Sequence, residues 1–134
     1  MQNLQYPVGK FIAPTDFSTS LLDNYISTIQ SFPDKIIAAT SNLTEQQLDT
    51  TYRPDGWTVR QVVHHCADSH MNSIIRLKLA LTEDKPTIKA YNESAWAKMA
   101  DSITFPLHDS LQIIKGVPQR WVAVFLAMHD ADFQ

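Results

Sequence analysis

Two adjacent histidines, His64 and His65, stand in the stretch 57–81, WTVRQVVHHCADSHMNSIIRLKLAL, followed closely by Cys66, Asp68 and His70. Imidazole, thiol and carboxylate groups bind divalent metals and exchange protons near neutral pH, so any chemistry in this chain should be sought here. A long helix must present them. Thr58 and Gln61 have the spacing of a capping box, and Asp55-Gly56 supplies the turn before it. At helical period, Val59, Val63, Cys66, His70, Ile74, Leu77 and Leu81 gather on one apolar side, which should face the core. Thr58, Gln61, His65, Ser69, Asn72 and Arg76 form a polar row on a second side. A polar row can be no more than a solvated face. Around His65, however, its members are small and neutral rather than Lys and Glu, which suits a wet cavity.

The neighbouring candidates have blander readings beside their functional ones. His64 points about 100° away from His65 and is expected to pair with Asp68 at the surface. Cys66 and His70, four apart, are the rival metal pair, but on the apolar seam core packing explains both. Arg53, Asp68, Asn72 and Arg76 could contact substrate or orient His65, or could be ordinary solvated or capping residues. His108 and His129 are taken as surface residues.

The flanking chain is predicted to be helical as well. Residues 1–14, with Tyr6-Pro7, Gly9 and Pro14, show no period and read as an extended surface arm pinned to the core by Tyr6, Val8, Phe11 and Ile12. From about Thr15 to Asn42, apolar residues recur at steps of three or four, with a kink or break expected at Pro33. Thr44 and Gln47 repeat the capping-box spacing over a short turn ending near Leu48. Asn92 should cap a helix over Glu93 to Asp101 that buries Trp96 and Met99. Leu107, Leu111, Ile114, Trp121, Phe125 and Met128 mark another long helix, weakened at Gly116 and Pro118. No stretch alternates long enough for a sheet, so the fold class is all-α.

Composition narrows the partners. A chain of 134 residues makes one domain. The net charge of -3, with no cluster of Lys and Arg, argues against nucleic acid. The longest apolar run, Trp121 to Met128, is too short to cross a bilayer, and no signal peptide is recognisable, so a cytoplasmic location is expected. The single cysteine fits a reducing compartment. Only three glycines, and neither GxGxxG nor GxxxxGK[ST], disfavour phosphate-cradling loops.

Leu43-Thr44-Glu45-Gln46-Gln47-Leu48-Asp49 and Met128-His129-Asp130-Ala131-Asp132-Phe133-Gln134 share a pattern of apolar, polar, acidic and apolar residues. The first copy leads into the His65 helix, and the second ends the sequence. Three amphipathic helices leave an open groove that a fourth would close, so a fourth long helix is expected to be missing, lost by truncation or replaced by a partner subunit.

At Trp57, at His65 eight residues on, at the preceding LTEQQLD turn and Tyr52-Arg53 loop, the sequence resembles the DinB/YfiT-like family. WTVRQVVHHCADSHMN, IRLKLALTED, the opening YPVG, KPTIKAYNESAW and QRW look especially like its YfiT branch, and the likeness spans essentially the whole chain. The resemblance implies a DinB-like four-helix bundle, often dimeric, in which three histidines hold a divalent metal, zinc or nickel. One would be His65, and two, spaced four apart, would lie beyond Gln134. It also implies a metal-dependent hydrolase or a thiol S-transferase acting on a small molecule such as a low-molecular-weight thiol. With one imidazole, residues 1–134 alone should bind metal weakly or not at all and be inactive. The alternative is a non-catalytic helical module that dimerises through its open groove.

Overall fold

In a computed structural model, which describes residues 4–133, the regular structure is helical. The helices are α1 (Thr19–Thr40), α2 (Glu45–Leu48), α3 (Val59–Thr82), α4 (Glu93–Trp96), α5 (Ala100–Ile103) and α6 (His108–Ala127), followed by a 3-10 turn over Asp130–Phe133. Among the described residues the only β pairing is an isolated bridge between Thr51 and Thr58. α6 packs along both α1 and α3, which meet each other little. Leu48, Val63, Ala67, Leu107 and Ile114 form the buried core.

Local signals set most helix ends. Both predicted capping boxes form, Thr44 with Gln47 and Thr58 with Gln61, each worth about 1 kcal/mol. α1 begins later than its apolar period suggests, because Ser18 takes the cap position and accepts from the Leu21 amide at 3.3 Å. Pro33 and Pro118 lie inside helices that run on past them, so the break expected near Phe32 does not occur. Each proline costs one backbone hydrogen bond, and each ring is buried against neighbours that offset the loss.

Two expectations fail for tertiary reasons. The predicted helix over Glu93–Asp101 is two short helices, because the Ala97 carbonyl accepts from Gln61 Nε2 at 2.6 Å instead of from the next turn. Ala97 is buried there, while Trp96 and Met99 are exposed. In the N-terminal arm Tyr6, Val8, Phe11 and Ile12 are all exposed, so they do not pin it; Pro7 is the arm's apolar residue that lines the cleft between α1 and α3.

Candidate functional site

The entry to α3 is a tight turn. The Tyr52 amide donates to the Trp57 carbonyl and the Gly56 amide to the Arg53 carbonyl, with Asp55 in the left-handed region at φ 57. A side chain at Gly56 would put its Cβ 2.6 Å from Arg53 Cγ, so the glycine is required by close approach. This turn sets Trp57, whose ring meets His65 edge-on at 4.9 Å between centroids.

The adjacent histidines have opposite environments. His64 is buried, with Nδ1 2.7 Å from Ser110 Oγ and Nε2 donating to the Phe105 carbonyl at 3.0 Å. The expected surface pairing with Asp68 is therefore corrected: one ring nitrogen is committed to Phe105, just before α6, and the other to Ser110 in its first turn. The buried side of α3 accordingly runs through Arg60, Val63, His64, Ala67 and Ile74, turned toward the side of His64 relative to the predicted seam. Polar side chains can lie there because each finds a partner. Arg60 donates to Asp49 at 2.7 Å, to Glu45, and to the Phe105 carbonyl at 3.1 Å.

His70 stacks on Phe32 at 5.0 Å and meets the edge of Trp121 at 5.8 Å, with Nδ1 donating to the Cys66 carbonyl at 2.7 Å. Burial holds its pKa below the ordinary imidazole value, opposed by that hydrogen bond. Burial also pushes the Cys66 thiol up, which keeps it protonated. This pair packs the interior, as its place on the seam suggested. His108 and His129 are exposed.

His65 is left as the partly buried histidine whose ring nitrogens have no hydrogen-bond partner among the described residues. They are not sealed from solvent either, since among the described residues the one fully buried, unpartnered side-chain nitrogen or oxygen is Trp121 Nε1. Asp68 lies close by. Burial and then Asp101 raise its carboxyl above the usual range, while His65 and His64 oppose the shift.

The polar row is not a free solvated face. Residues 89–97 run along it: Gln61 donates to Ala97, Ser69 engages Tyr91, and Arg76 donates to the Lys89 carbonyl at 3.0 Å with its guanidinium over the Tyr91 ring. Tyr91 in turn packs on Trp96 at 4.5 Å. A cavity of about 490 Å³ opens at the Gln61 end, lined by Arg53, Asp55, Trp57 and Lys98 among others, and one of about 350 Å³ at the Asn72 end. Lys98 and Ser94 escaped notice in the sequence, where only the family-like segment KPTIKAYNESAW hinted that this stretch serves the site. On its other side Trp57 joins Ile36, Leu43, Val59 and Val62 in lining an apolar cleft of about 610 Å³ between α1 and α3.

The DinB superfamily pattern matches residues 29–134. The chain belongs to the DinB superfamily. A Geobacillus thermodenitrificans relative of this family, described as a "putative metal-dependent hydrolase", is 46% identical over 131 residues, covering 98% of this chain and 74% of the relative. A Bacillus mycoides protein of the same description is 44% identical over 134 residues, covering 77% of that protein. Among solved structures, YfiT from Bacillus subtilis, described as a "probable metal-dependent hydrolase with an unusual four-helix bundle topology", superposes with a TM-score of 0.94 at 44% identity. The match covers 98% of this chain and 75% of YfiT. The all-α, YfiT-like bundle fold read from the sequence is thus the observed one.

The donor set can be compared with what a DinB-type metal would need. His65 suits one ligand position, being partly buried with both nitrogens uncommitted. Among the described residues no group of three His, Cys, Asp or Glu side chains could hold a metal ion. A complete ligand set is therefore not found among the described residues.

Proposed function

We propose that the protein is a metal-dependent hydrolase of the YfiT kind, with His65 as one ligand of a divalent metal ion, zinc or nickel, and the remaining ligands outside residues 1–134. The observation that carries this reading is the contrast between the two histidines: His64 is tied down at both nitrogens, and His65 is held by Trp57 with both free. The names of the relatives support it. When bound, a divalent ion supplies Lewis acidity to water or to a coordinated thiol.

The chain's own residues position and shield. Trp57 fixes the His65 ring and walls it from the apolar cleft. The 89–97 segment covers the polar row, leaving an opening at the Gln61 end large enough for a small molecule. Burial, and then Asp101, raise the Asp68 carboxyl, and His65 and His64 oppose the shift, so this acid is electrostatically linked to the imidazole. Transfer of a low-molecular-weight thiol is a reaction the same ligand would serve, with the thiol supplied by the substrate rather than by the partly buried Cys66.

Metal content tests this. In a chain or assembly that supplies the remaining ligands, exposed to zinc or nickel and then gel-filtered, the protein with His65 should retain more metal than its His65→Ala variant, with both equally folded by circular dichroism. Equal, negligible metal in the two would overturn the assignment and leave the alternative, a dimerising helical module, which the apolar cleft between α1 and α3 favours.

A further inference from the structure

The cavity of about 490 Å³ at the foot of α3 carries a charge pattern that the metal reading does not use. Its lining includes two cations, Arg53 and Lys98, and one acid, Asp55. Among the described residues the salt bridges are those of Arg60, so neither cation is paired with a carboxylate. Arg53 Nε donates to the Tyr52 hydroxyl and Nη1 to the Pro54 carbonyl, both at 3.1 Å. These bonds hold the guanidinium still, and Nη2 has no partner among the described residues. Lys98 Nζ likewise makes no hydrogen bond or ion pair among them. Beside the cations stand the Ser94 side chain and the indole of Trp57, whose edge contact leads directly to His65. Gln61, on the same wall, precedes His65 by one helical turn, roughly 6 Å.

We propose that this cavity is a carboxylate-binding subsite, and that the protein's substrates are small monocarboxylates whose reacting group reaches His65 past Trp57. Arg53 and Lys98 hold the carboxylate, and Trp57 packs the carbon skeleton. Among the described residues, two cations against one acid leave a single net positive charge, which a carboxylate neutralises. A phosphate dianion would bring surplus negative charge beside Asp55. Placing the reacting group at His65 rests on the metal reading above; binding of the carboxylate does not require it.

Titration of the full 134-residue chain with benzoate, followed by the Trp57 indole N–H resonance, tests the subsite. Benzamide serves as the uncharged isostere and inorganic phosphate as the competing anion. Benzoate should bind saturably and about tenfold or more tighter than benzamide, with phosphate weaker than benzoate. Lys98→Gln and Arg53→Gln should each weaken benzoate about five- to tenfold and leave benzamide unchanged. Asp55→Asn, which keeps a residue tolerant of the left-handed turn, should tighten it. Because Arg53 packs on the Gly56 turn, the exposed Lys98 and Asp55 variants decide the matter if Arg53→Gln fails to fold. His65→Ala should bind benzoate as the native chain does, so loss of the metal site and loss of the subsite are read independently. Equal binding of benzamide and benzoate, tighter binding of phosphate, or indifference to Lys98→Gln and Asp55→Asn would overturn the proposal.

Discussion

His64 and His65 occupy consecutive positions and have opposite fates, which depend on what lies 41 and 46 residues further on. Phe105 and Ser110 bring a carbonyl and a hydroxyl to His64, while His65, one step round the helix, meets Trp57. Helical period separated the two side chains correctly and placed His65 in the polar row. It could not show that His64 turns inward, because its partners come from the start of another helix. For His70 the apolar period was sufficient, and burial follows. A depressed imidazole pKa contributes stability that is present above the ordinary value near 6.5 and is lost as pH falls through it. The native melting temperature should therefore fall more steeply from about pH 7 to about pH 5 than that of His70→Phe, as thermal melts in parallel buffers would show. Parallel slopes would mean that the ring escapes its packing on Phe32.

Helices α2, α3 and the lead-in to α6 are joined by one side chain. Arg60 is buried and reaches Glu45 and Asp49 at the α2 turn and the Phe105 carbonyl before α6. Both carboxylates are exposed, so solvent screens the Coulomb part and the hydrogen bonds carry most of the effect. Arg60→Ala should cost about 2–3 kcal/mol in urea denaturation, through a buried gap and an unpaired carbonyl. A loss below about 0.5 kcal/mol would show the node to be dispensable. The element starts set by the Thr44, Thr58 and Asn92 caps were readable, since these caps act within three residues, while the start of α1 at the Ser18 cap was not. The division between α4 and α5 was not, because Gln61 on α3 diverts the Ala97 carbonyl. The suspected repeat has a structural counterpart: the Thr44 amide donates to Gln47 Oε1 at 2.9 Å, and the His129 amide to Asp132 Oδ2 at 2.7 Å.

Taken whole, the described chain has α6 packed against both α1 and α3, with an apolar cleft between the latter two. Ile36, Leu43, Val59 and Val62 line it, an arrangement that attracts apolar ligands or protein surfaces. An environment-sensitive apolar dye such as anilinonaphthalene sulfonate should brighten on the native protein, and Val62→Glu should remove most of that signal without lowering the melting temperature appreciably. Unchanged fluorescence in the variant would place the dye elsewhere. The all-α class, three long amphipathic helices and the Thr58 cap of α3 were determined by the sequence alone, since periodicity and capping act between residues a turn apart. Tertiary structure alone decided that Arg60 and His64 are buried, that residues 89–97 cover the polar row, and that Arg53 and Lys98 face one cavity. Each of those facts depends on partners from distant segments, whose meeting no local pattern records.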